Sequence, residues 1–93
     1  MSSNKIKCLH ILLKKQSEAL MIRERLNKGE SFTNLAKEFS IDKASGKRGG
    51  DLGFFRRGMM VKPFEEVAFK LEKGQISEPV KTEFGYHIIK RIS

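Results

Sequence analysis

The chain has 93 residues, 39% of them hydrophobic and 32% charged, with 19 lysines and arginines against 11 acids and a net charge of +8 at pH 7. That length fills one modest core and excludes a second. The single cysteine excludes an internal disulfide and a thiolate metal centre, and no apolar run is long enough to cross a bilayer as a helix.

Taken in order, Lys5 to Leu13 reads as a strand that is apolar on both faces, as in the middle of a covered sheet. Its apolar run is broken by His10 and ends at Lys14-Lys15, which is not the layout of a signal peptide, so a cytoplasmic location is expected. Ser17 is placed to cap a helix reaching Lys28, with Ala19, Ile22 and Leu26 on one face and Gly29 as its stop. Ser31 caps a second helix whose Phe32, Leu35, Ala36 and Phe39 recur at helical spacing.

Periodicity then disappears. Residues 43–51 are rich in glycine and cations and are expected to form a loop. Leu52 to Phe55 has room for only a short strand. Pro63 suits the first turn of a third helix, in which Phe64, Val67, Ala68 and Leu71 form a stripe that ends at Gly74. Ile76 to Thr82 is expected as a strand, at an edge because Pro79 lies within it, and Gly85 to Ile92 as the last strand. The predicted order is β-α-α-β-α-β-β. It gives a single α+β domain over residues 1–93, a four-stranded, largely antiparallel sheet with packed helices.

The charge is uneven. Residues 1–15 carry +4 through Lys5, Lys7, Lys14 and Lys15, and residues 43–62 carry +5, with Lys47, Arg48, Arg56 and Arg57 among six cations against Asp51. Such patches favour an anionic partner, and the absence of a groove-reading motif favours a membrane surface or an acidic protein over nucleic acid. The competing reading is that these cations serve solubility alone.

Chemistry narrows to a few residues. Gly46-Lys47-Arg48-Gly49-Gly50 lacks the spacing of a phosphate-binding loop, and Ser40, Ser45 and Thr82 sit in no nucleophile motif. Cys8 and His10 share a strand face, but the thiol reads first as a small core residue. The two histidines, His10 and His87, each lie in an aliphatic strand and need polar partners if buried, which makes them a structural lock or part of an active site.

The blocks FTNLAKEFS, GGDLGFF, GMMVKPFEEVAFKL and EFGYHIIKR, with the opening CLHIL strand, resemble the parvulin family of peptidyl-prolyl cis/trans isomerases in order over essentially the whole chain. The resemblance implies an antiparallel four-stranded sheet wrapped by helices, with His10 and His87 paired on adjacent central strands. It further implies Asp42 and Thr82 as their polar partners, and Leu52, Met60 and Phe64 as the proline pocket with Phe84 on its rim. The activity implied is rotation of Xaa-Pro bonds in flexible or unfolded polypeptides, assisting their folding. Amide rotation breaks no bond, so no cofactor, metal or nucleophile is expected. Asp42 has two open roles: a negative group near the turning carbonyl, or an acceptor that orients a histidine. Lys14-Lys15-Gln16-Ser17 is shorter than the arginine-bearing loop of phospho-specific relatives, so no phosphate clamp is expected. A monomer is expected. The alternative is a non-catalytic module that holds proline segments and docks through its basic patches.

Overall fold

The computed structural model describes residues 4–93. Eight elements follow in order: β1 (Ile6–Leu13), α1 (Gln16–Asn27), α2 (Phe32–Phe39), α3 (Lys43–Gly46), β2 (Asp51–Phe55), α4 (Lys62–Lys70), β3 (Val80–Thr82) and β4 (Gly85–Arg91). The strands form one antiparallel sheet in the order β2-β1-β4-β3, so the first and last strands are the central pair. Their continuous aliphatic runs are the reason: only the two middle strands are covered on both faces.

The pleat divides each central strand between two cores. Leu9, Ile11 and Leu13 of β1 and Ile88 of β4 pack against Ala19, Ile22 and Leu26 of α1 and Phe32, Leu35 and Ala36 of α2. Ile6, Cys8 and Ile89 point the other way, against Phe55 of β2 and Phe64, Ala68 and Leu71 on and beside α4. The helical stripes read from spacing are therefore the buried faces. His10 lies between Cys8 and Leu12 on the α4 side, and His87 shares that side two residues before Ile89.

Three expectations need correction. Helix α1 begins at Gln16, before Ser17, because the backbone N–H of Lys15 donates to the Glu18 carboxylate at 3.0 Å. A carboxylate in the first turn does the capping there in place of the serine hydroxyl. By contrast Ser31 caps α2 as expected, its Oγ accepting from the Asn34 amide at 3.2 Å.

The segment after Asp42 is not all loop: it opens with the single turn α3. The Gly46 amide donates to the Asp42 carbonyl at 2.8 Å and the Ser45 hydroxyl to the Asp42 carboxylate at 2.7 Å. One turn is too short to leave a hydrophobic period, and its glycine lowers helix propensity.

The strand expected from Ile76 is cut to Val80–Thr82, with Ile76 reduced to an isolated bridge to Lys90. Pro79 has no N–H to give the ladder. Residues 74–77 still follow β4, but through irregular bonds that include Ser77 N–H to Ile89 C=O at 2.7 Å and Ile89 N–H to Ser77 Oγ at 3.0 Å. Helix α4 carries Pro63 in its first turn and ends at Lys70, short of Gly74.

Candidate active site

The site begins with register. His10 is paired with Ile89 and His87 with Leu12, which sets the two histidines diagonally on one face of the central pair. Diagonal neighbours on antiparallel strands lie within reach of long side chains. The two rings lie 5.2 Å apart between centroids with 25° between their planes, and Nδ1 to Nδ1 is 3.0 Å. Phe64 of α4 meets both edge-on, at 5.8 Å from His10 and 5.2 Å from His87.

The outer edge of β1 brings in the third residue. Past the point where β2 stops pairing, β1 is completed by other backbone and by a serine hydroxyl. The His10 amide donates to Gly50 C=O at 2.8 Å, the Leu12 amide to Ser40 Oγ at 3.1 Å, and the Ile41 amide to Leu12 C=O at 2.8 Å. The segment Ser40–Asp42 is thus laced to β1, and Asp42 arrives beside His10. Gly50 permits this: its φ is +89°, and a Cβ there would sit 2.3 Å from the His10 carbonyl oxygen. A register shift between Lys7 and Leu9 gives β2 one extra residue near Gly53, and Leu52 lies at that irregularity.

The hydrogens can be assigned from the ends of the network. The Asp42 carboxylate can only accept, so His10 Nε2–H donates to its Oδ2 at 2.8 Å, with Ser45 Oγ also 3.1 Å from that nitrogen. Neutral His10 then presents Nδ1 as an acceptor, and His87 Nδ1–H donates to it. His87 Nε2 in turn accepts from the Thr82 hydroxyl at 2.6 Å, while Thr82 Oγ accepts from the Phe84 amide at 3.1 Å. Every proton in the chain Thr82–His87–His10–Asp42 has one acceptor, provided both rings are neutral.

The electrostatics fit that assignment. Burial, followed by the neighbouring His10, pushes His87 down to about 4. Burial also lowers His10, opposed by its bond to Asp42. Desolvation acts to raise Asp42, but the hydrogen bonds from Ser45 and His10 outweigh it and hold the carboxyl below its ordinary value. At neutral pH the network carries one negative charge, on a carboxylate whose side chain is 29% exposed.

A cleft of about 340 Å³ opens over these groups, lined by His10, Leu12, Asp42, Leu52, Met60, Val61, Phe64, Phe84 and His87. All the apolar residues singled out from the sequence therefore converge with His10, Asp42 and His87. Phe84 stands on the rim, 58% exposed, whereas Phe64 is buried in the floor. Thr82 is not part of the lining; it lies behind His87. Leu12 and Val61 escaped the sequence reading, although Leu12 shares the face of His10 and Val61 adjoins Met60. Ser45 escaped too, three residues after Asp42, a spacing suited to a local side-chain bond. Cys8 stays in the core behind the site, its thiol pushed up to about 11 by burial.

None of the eight basic residues noted in the sequence lines the cleft. Lys7 is 3.6 Å from the Asp51 carboxylate and lies over the Phe54 ring, Arg48 donates to the Asp51 carbonyl, and Arg57 lies 4.3 Å over Phe69. Lys5, Lys14, Lys15, Lys47 and Arg56 are exposed.

A family model for the PPIC-type PPIase domain, under the heading rotamase, matches residues 10–93. The foldase protein PrsA of Geobacillus kaustophilus (strain HTA426) is 55% identical over 86 residues, which are 92% of this chain and 31% of the relative. The chain spans about 30% of the length of such curated relatives. The solution structure of NmPin, the parvuline of Nitrosopumilus maritimus, is 64% identical, with a TM-score of 0.89 and 100% coverage of both chains. The crystal structure of the PrsA peptidylprolyl isomerase from Bacillus anthracis has a TM-score of 0.94 at 48% identity, over 96% of this chain and 41% of that one.

Proposed function

The chain belongs to the PPIC-type peptidyl-prolyl isomerase family, the parvulins, and we propose that this domain itself rotates Xaa-Pro bonds in flexible or unfolded polypeptides. One observation carries the reading: a buried, uncharged histidine pair, a single carboxylate and an apolar floor converge on one cleft of about 340 Å³.

The chemistry asked of such a cleft is modest. Twisting the amide costs ~18–20 kcal/mol because resonance is lost, and no bond breaks. A catalyst must hold the twisted amide better than either planar form, and each 1.36 kcal/mol of that preference is about tenfold in rate. Leu52, Met60 and Phe64 supply a dry seat for the proline ring, with Met60 able to adjust its shape. With the ring held, the carbonyl on the other side of the bond is the part that turns. Asp42 faces that space, and its negative charge disfavours the polarised planar amide relative to the twisted one. Its Oδ2 also fixes the tautomer of His10, and through it that of His87, so both roles open from sequence are compatible in one carboxylate. We assign the histidines and Thr82 to the structural floor, since neither acid nor base is needed.

A protease-free exchange assay on a short Xaa-Pro peptide tests this. Acceleration well above the spontaneous rate is expected, and an uncatalysed rate in the presence of pure folded protein sinks the reading in favour of a binding module.

We further propose that the exposed cations steer the domain to an anionic surface, a membrane headgroup layer or an acidic protein before nucleic acid, and that it acts as a cytoplasmic monomer. The charge of +8 and the exposure of Lys14, Lys15, Lys47 and Arg56 support the anionic docking. Co-sedimentation with phosphatidylserine-containing vesicles should be seen at low salt and lost at high salt. No sedimentation at either salt removes the membrane arm.

A further inference from the structure

On the far side of the ridge that carries Asp42 lies a second apolar groove of about 280 Å³. Leu13 and Ile22 are its buried floor, and Met21 of α1, Phe39 of α2 and Ile41 are its walls. Met21 and Ile41 are large apolar side chains left 58% and 46% exposed. The cation at the groove is already engaged: Arg25 lies 5.2 Å over the Phe39 ring and is paired with Glu30 at 2.9 Å. Glu18 also lines it, with its carboxylate accepting from the Lys15 amide at the start of α1, so an aliphatic or aromatic side chain would meet an apolar floor and walls with Glu18 and Arg25 beside them.

The groove and the proline cleft share one wall. Ser40 and Asp42 both have extended backbone, with ψ of 130° and 91°. The chain bends at Ile41 between them, and the three side chains go to three different places. Ser40 turns inward to the Leu12 amide, Ile41 lines the groove, and Asp42 lines the cleft beside His10. The ridge is held to β1 by the Ile41–Leu12 backbone bond. A polypeptide that crosses it meets both depressions. Adjacent residues, Ile41 and Asp42, line the two depressions, so a proline in the cleft and a side chain in the groove are a few residues apart in an extended chain at ~3.3 Å per residue.

We propose that the groove is a second subsite for the same polypeptide, seating an apolar side chain that lies a few residues from the isomerised proline. This rests on the isomerase reading above and adds a length and sequence requirement to it. Short peptides would then use only the cleft, and longer apolar ones both depressions.

The test is a set of otherwise alanine-based Xaa-Pro peptides in which one leucine is moved through successive positions on either side of the proline. We expect kcat/KM to rise about 5- to 10-fold at a spacing of a few residues on one side only. Met21→Gln, on an exposed helix position, should abolish that rise and leave the value for the leucine-free peptide unchanged. Activity on the leucine-free peptide with no dependence on leucine position overturns the subsite and leaves the isomerase reading intact. A rise that survives Met21→Gln overturns it too. So does self-association of the protein that Met21→Gln disrupts without a peptide effect, which would give the groove to a second copy. No activity on any peptide is the failure of the isomerase reading itself.

Discussion

Stability should fall with acidification below about pH 6.5, because the folded protein resists taking a proton on His87. The ring sits near 4 in the folded state against an ordinary 6.5, from burial and from the neighbouring His10. A base depressed in this way binds its proton more readily in the unfolded chain. Its contribution is therefore intact above about pH 6.5, drains away as the pH falls toward 4, and is exhausted below that. From pH 7.5 to 4.5 the loss integrates to about 2.5 kcal/mol. His10 is shifted in the same direction and adds to it. For a domain of this size that corresponds to a drop of about 10–20 °C in Tm. Thermal melts followed by circular dichroism across that range read the slope. The ring-proton NMR shifts read the cause, since the protein has only two histidines. His87→Gln should flatten the profile. A wild-type Tm that is level from pH 7.5 to 4.5, or a His87 midpoint at or above 6.5, refutes the neutral-pair assignment.

Three other outcomes follow from the same geometry. Asp42→Ala should lower kcat/KM by about 10- to 100-fold, as expected for removal of one preorganised electrostatic group, while binding of a proline peptide by titration calorimetry changes only a few-fold. Thr82→Val leaves His87 Nε2 and the Phe84 amide without their partner and should cost about 1–3 kcal/mol in urea unfolding; an unchanged midpoint would mean that the network is not held by that hydroxyl. Gly50→Ala combines a φ of +89° with a Cβ 2.3 Å from the His10 carbonyl, so a loss of at least about 2 kcal/mol is expected, with broadened His10 resonances. A stable Gly50→Ala protein with wild-type spectra would contradict the close approach.

The sequence made the two cores legible because they are written in strong periods. Alternation and continuous aliphatic runs identify β1 and β4, and stripes such as Phe32-Leu35-Ala36-Phe39 identify the helix faces. What it concealed is local and polar. The cap of α1 passed from Ser17 to Glu18 because a carboxylate and a hydroxyl compete for the same orphan amides. The turn α3 was hidden because a single turn, held by the Gly46 amide and the Ser45 hydroxyl on Asp42, leaves no hydrophobic period. The early end of the third strand follows from Pro79, which marks an edge in sequence but not the point where pairing begins. In the site, periodicity alone offers His10 and His87 as buried rings with unknown partners. The partners Asp42, Ser45 and Thr82 come from loops or short elements without period, and only the resemblance in register pointed to two of the three.

The contact between the imidazoles joins residues 77 apart in the chain. Bringing the two rings together closes a loop of almost the whole chain, and the entropy of closing it is lost ahead of the contacts that reward it. No fragment holding one histidine can assemble the cleft, because the missing strand is also the hydrogen-bonding neighbour of the one present. The cleft is thus complete only once both end strands have paired. A partly folded chain has its own prolines to settle and none of the machinery to help.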